Sequence, residues 1–149
     1  MRSESMAAVV VLVWIGFAAP LHAGTAAAVH VEDAWIRWLP AGIPAGGYLT
    51  LVNDGDKPAV MVAAESPDYG EVSLHITRNQ NGLSQMVAVA NIVVEPHSRL
   101  SFAAAGYHMM LMHPTVTRSP GDEVPITLRF ADGGSLTVKF RVRHPDGGQ

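Results

Sequence analysis

The chain has 149 residues, seven histidines, seven methionines and no cysteine, with a formal net charge of −3. The missing cysteines exclude disulfide staples, thiolate metal sites and the His₂Cys ligand set of blue-copper electron carriers. The charge carries no basic surplus of the kind that nucleic acid or anionic lipid attracts.

Arg2 is followed by a polar Ser-Glu-Ser, then by the apolar run "MAAVVVLVWIGFAA" from Met6 to Ala19, then by Pro20 and small residues. This pattern predicts a secretory signal peptide over residues 1–23, with cleavage after Ala23 or as late as residue 28. The run is shorter than the roughly 18 residues of a membrane-spanning helix, so no membrane insertion is expected after cleavage. An uncleaved N-terminal anchor is the alternative. Cleavage leaves 121 to 126 residues, enough for one domain with a core of its own and too few for two.

Beyond the leader, short stretches rich in Val, Ile, Leu, Thr and aromatics alternate with Gly, Pro and Asp about every 8 to 12 residues, the rhythm of an all-β sandwich or barrel. No amphipathic helix is evident. Strands are predicted over 29–38, over "GGYLTLVN" (46–53), over "AVMVAAES" (59–66) and over 72–77. The turn "NQNG" (79–82) returns the chain into "LSQMVAVA" (83–90) as a hairpin. Two more strands are expected around "GYHMMLMHP" (106–114). A C-terminal hairpin closes the domain: "VPITLRF" (124–130) and "SLTVKFRVR" (135–143) flank Ala131-Asp132-Gly133-Gly134. Its inward faces read Ile126, Leu128, Phe130 and Leu136, Val138, Phe140, Val142. The domain therefore spans 29–143, and the polar, Gly-rich residues 144–149 form a tail.

Strand alternation sorts the candidate ligands. Val72, Leu74 and Ile76 point one way, which puts His75 on the other face with Ser73 and Thr77. Val87 and Val89 are predicted inward and Met86 outward. In the Met-rich stretch, Met109 and Leu111 fill the core while His108 and Met110 project together, and Met112 stays open. Met61 and Trp35 are assigned to the core. His30, His97 and His144 stand isolated and read as surface residues, and Asp122-Glu123 reads as solvated loop charge.

A thioether on an outward face gains little from burial, so Met86 and Met110 ask for another explanation. Thioether sulfur is neutral and polarizable and favours Cu(I) over hard ions such as calcium or magnesium; neutral imidazole suits copper in either oxidation state. Zinc would be expected to use His, carboxylate or thiolate. Two methionines and two histidines make a neutral set suited to a monovalent ion that must be held and passed on.

The spacing His75-x₁₀-Met86-x₂₁-His108-x-Met110 resembles the signature of the periplasmic copper(I) chaperones of the PCuAC family. Family-like wording surrounds it in "VEDAWIRWLP" (31–40), "AGGYLTLVNDG" (45–55), "ESPDYGEVSLH" (65–75) and "GYHMMLM" (106–112), so the resemblance covers roughly residues 30–143. It implies a cupredoxin-like Greek-key β-sandwich and a Cu(I) site formed by His75, Met86, His108 and Met110. It further implies a non-enzymatic, monomeric periplasmic carrier that delivers copper to the apo CuA domain of cytochrome c oxidase alongside thioredoxin-like copper assembly factors. Ile76-Thr77-Arg78 stands where family members often carry an extra methionine. Met112 and His113 are candidate auxiliary ligands, the latter where a small residue is usual. A copper-buffering protein with no dedicated oxidase partner is the competing function. An enzyme is disfavoured by the histidine-poor ligand set and the absence of a GxSxG nucleophile elbow.

Overall fold

The computed structural model describes Ala26, residues 28–40 and residues 42–145. The predicted signal peptide and the last four tail residues lie outside the described residues. Ten strands follow one another with no α-helix among the described residues: β1 (Val29–Arg37), β2 (Ala45–Asn53), β3 (Ala59–Glu65), β4 (Tyr69–Gln80), β5 (Leu83–Ala88), β6 (Ile92–Val94), β7 (Ser98–Ser101), β8 (Tyr107–Pro114), β9 (Glu123–Phe130) and β10 (Ser135–Arg143). The strand order is β5-β4-β8-β2-β1-β10-β9-β3-β6, with β7 also on β2. The β1–β10 pair is parallel, and every other pair is antiparallel. The fold is an all-β, cupredoxin-like single domain, as the strand rhythm and the family resemblance led one to expect.

The core forms where inward-facing positions of these strands meet. Ile36, Leu51, Met61, Met109, Leu111, Ile126, Leu128 and Phe140 are all essentially solvent-free, and Leu136 and Val138 pack against them. The C-terminal hairpin keeps the register its alternation implies, with Ile126 opposite Val138 and Leu128 opposite Leu136. Gly133, at φ 88°, supplies the left-handed turn position between them.

Two orientations differ from expectation. Trp35 is not a core residue: it stacks on Tyr48 with ring centroids 4.6 Å apart, on the outer face. The reason is a bulge between Glu32 and Trp35, where Asp33 takes φ 47°. The extra residue reverses the strand's phase, so Val29 and Val31 face in before it and Ala34 and Ile36 face in after it. Val87 was expected inward and is 38 % exposed. Strand β5 is the last in the sheet, and all six of its residues are exposed.

Candidate metal site

The candidate ligands sit on one outer face of the three-stranded unit β5-β4-β8. His75 is directly opposite His108, Ser73 opposite Met110, and Thr77 opposite Met86. Directly opposed residues share a face, and so do positions i and i+2, which gathers His75, Met86, His108 and Met110 on one side. Met109 and Leu111 take the other side and are buried in the core.

The two imidazoles lie 5.9 Å apart, centroid to centroid, nearly parallel at 28°. Met86 reaches across β4 from the sheet edge, bringing its Sδ within 3.2 Å of His108 Nε2. On a tetrahedral ion with nitrogen at about 2.0 Å and sulfur at about 2.3 Å, N and S are separated by about 3.5 Å, so this pair is nearly at ligand spacing. His108 itself is only 5 % exposed, which differs from the open position expected of it: its outer-face neighbours cover it. Met86, at 60 % exposed, is where the cluster meets solvent.

Each imidazole is oriented by the residue two positions before it, on the same face. His108 Nδ1 stands 3.1 Å from the Gly106 carbonyl oxygen. A carbonyl only accepts, so Nδ1 carries the proton and the neutral ring keeps its Nε2 lone pair toward Met86. His75 Nε2 is 3.0 Å from Ser73 Oγ, while His75 Nδ1 is buried with no hydrogen-bond partner. A buried nitrogen without a partner costs free energy that a bound cation would recover. Burial and the neighbouring His108 hold the His75 imidazole below the usual histidine range, with Glu71 opposing them. An imidazole oriented by a hydrogen bond at one ring nitrogen, with the other nitrogen left for the ion, is the form a soft metal takes. The donor set therefore fits Cu(I). No trio of His, Cys, Asp or Glu that could hold a metal exists among the described residues; the two thioethers bring the candidate donors on this face to four.

The auxiliary candidates separate. Met112 is half-buried on the ligand face, opposite Glu71 and one position beyond Met110 along that face. His113 is exposed at the far end of β8, takes φ 55°, and has its Cβ 3.1 Å from where a Gly70 Cβ would sit. Five residues of extended strand put it about 17 Å from His108. His30 pairs with Asp54 at 2.9 Å, His97 with Asp56 at 2.8 Å, and His144 lies edge-on to Trp38, all at the surface. Sequence reasoning had placed Ser73 on the ligand face without a role and had not singled out the Gly106 carbonyl. The signal was their i−2 spacing from the two histidines.

The fold is shared with PCuAC domains of solved structure. The structure aligns with the copper-bound PCuAC domain from PmoF2 at a TM-score of 0.67 and 26 % identity, covering 79 % of this chain and 94 % of that one. It aligns with CuI-DR1885 from Deinococcus radiodurans at 0.64 and 29 %, covering 78 % and 79 %. The chain belongs to the LpqE-like family, whose model, described as "Putative lipoprotein LpqE-like", matches residues 29–142. It is 31 % identical over 116 residues to "Putative lipoprotein Lxx21020" of Leifsonia xyli subsp. xyli, covering 77 % of this chain and 69 % of that protein. It is also 31 % identical over 123 residues to "Uncharacterized protein RP573" of Rickettsia prowazekii, covering 78 % and 67 %.

Proposed function

We propose that this chain is an extracytoplasmic, non-enzymatic metallochaperone that carries Cu(I) on His75, Met86, His108 and Met110 and delivers it to the CuA site of cytochrome c oxidase. The observation that carries the reading is the contact between His108 Nε2 and Met86 Sδ at 3.2 Å, with the Gly106 carbonyl claiming the proton of the same ring. Two soft lone-pair donors face each other with no hydrogen to share. That is costly without a cation and favourable with one.

The same arrangement supports carriage rather than permanent residence. Three of the four side chains stand on the inner strands β4 and β8. The fourth, Met86, stands on an edge strand exposed along its whole length. A thioether held this loosely can leave first, and an incoming ligand can take its place. The neutral donors leave a singly charged complex, with little electrostatic penalty for exchange. Copper-bound PmoF2 and CuI-DR1885 are the relatives that point to the cargo. The PCuAC resemblance points to the CuA destination and to thioredoxin-like assembly factors as partners on that route.

The test loads the chain with Cu(I), mixes it with an apo CuA domain, separates the two and measures copper in each. Metal appearing in the CuA domain is expected. Metal retained by the chain, combined with lost copper tolerance and intact oxidase activity on deletion, would replace delivery with buffering.

A further inference from the structure

The outer face that bears the ligands continues beyond them into a second feature. In register across five strands, Ser73 opposes Met110, Met110 opposes Gly46, Gly46 opposes Arg37, and Arg37 opposes Arg143. One step further along the same face, His75 opposes His108, and Trp35 stands between Tyr48 and Arg141. Ligands, aromatics and arginines thus occupy two adjacent rows of one sheet. Adjacent strands are about 4.8 Å apart, so Met110 and Arg37 are separated by about 10 Å and Met110 and Arg143 by about 14 Å.

Two of the arginines are held in place before any partner arrives. Arg143 lies over the Trp35 ring at 5.6 Å and Arg37 over the Tyr48 ring at 5.8 Å. Between this group and Met110 the sheet carries only Gly46, and a Cβ there would stand 2.7 Å from the Tyr48 hydroxyl. The tyrosine therefore lies flat over bare backbone. Among the described residues Arg37 and Arg141 form no ion pair; Glu123, the cross-strand neighbour of Arg141, pairs with Lys139, and Asp33 with Arg143. A positive surplus is thus concentrated beside the metal site of a chain whose net charge is −3. Glu71 is the carboxylate on the opposite flank, next to Met112.

We propose that the Arg37, Arg141, Arg143 and Trp35 face, supported from beneath by the buried Tyr48, docks an acidic surface on the protein that receives the metal; the inference rests on the copper-delivery reading. Tryptophan, tyrosine and arginine dominate binding energy at interfaces, and pre-ordered side chains lose little entropy when covered. A standard interface covers about 800 Å² per partner, a disc of about 16 Å radius, so one footprint takes in both the arginines and the metal ligands. Unpaired rim charges act mainly on the rate of encounter.

The test measures the second-order rate of Cu(I) transfer from the loaded chain to an apo CuA domain for wild type, Arg141→Glu and Arg143→Glu, at low and at high salt. Cu(I) affinity is read separately against a chelator. Expected is an unchanged affinity, a transfer rate at least fivefold slower in both variants at low salt, and convergence with wild type at high salt. Equal rates with equal affinity would overturn the docking inference and leave copper binding intact. So would a wild-type rate indifferent to salt, or charge reversal that alters only pelleting with phosphatidylglycerol vesicles. A CuA domain that accepts no copper would remove the delivery reading itself. Failure of wild type to bind Cu(I) at all would instead remove the functional reading on which the inference stands.

Discussion

Met109 and Met110 are chain neighbours with opposite environments, so Met109→Ala and Met110→Ala should give opposite phenotypes. Met109 is 0 % exposed, stands opposite Leu74, and has its Cε 3.3 Å from where a Gly47 Cβ would sit. Truncation removes three buried heavy atoms. Substitutions of this kind cost about 2–5 kcal/mol. Taking about 3 kcal/mol, and about 3–5 °C per kcal/mol for a domain of this size, the melting temperature should fall by about 9–15 °C. Met110 is half-buried on the outer face, and its truncation should cost about 1 kcal/mol or less, within about 5 °C. Copper affinity should invert the order, with Met110→Ala weaker by at least about tenfold, or 1.4 kcal/mol, and Met109→Ala close to wild type. Circular dichroism melts of the copper-free proteins and a chelator competition read both axes. Equal melting temperatures, or a Met109→Ala protein that stays stable and loses copper, would refute the assignment of the two side chains to opposite faces.

Asn53 is 1 % exposed and shares its two Nδ2 hydrogens among the carbonyls of Lys57, Val94 and Glu95 at 2.8, 3.0 and 3.2 Å, while its Oδ1 accepts the Gly55 amide. Asn53→Ala should cost about 2–4 kcal/mol in urea unfolding, and Asn53→Asp more, since a carboxylate would face carbonyl oxygens; losses under about 1 kcal/mol for both would contradict this. The His75 imidazole, held low by burial and by His108, favours the neutral ring in the folded state. Its contribution to the copper-free protein is complete above about pH 6.5 and disappears as the pH falls through the lower folded value. Wild type should therefore lose melting temperature on acidification from pH 6.5 more steeply than His75→Asn. Parallel curves would count against the burial argument.

The C-terminal hairpin and the split of the Met-rich stretch were legible because regular alternation, unbroken over "ITLRF" or "YHMML", fixes which side chains meet the core. Trp35 was not legible, because a bulge at Asp33 reverses strand phase without a glycine or proline to announce it. The β5 alternation was visible, yet Val87 has no core to face, since strand order rather than local pattern decides which strand is an edge. The ligand spacing could be counted from the sequence. That Met86 leans across β4 to His108, and that Gly106 fixes the ring, depend on the register of β4 with both neighbours, which no local pattern encodes.

On the copper-delivery reading, Met86 is a copper ligand standing free of the fold's stability. An anaerobic Cu(I) titration of the chain against bathocuproine disulfonate, run beside Met86→Ala, tests it most directly. One copper per chain is predicted for wild type. For the variant, affinity should be weaker by at least about tenfold, with an unchanged melting temperature because the side chain is 60 % exposed. A wild type that cannot compete with the chelator, or a variant that binds copper equally well, would contradict the account.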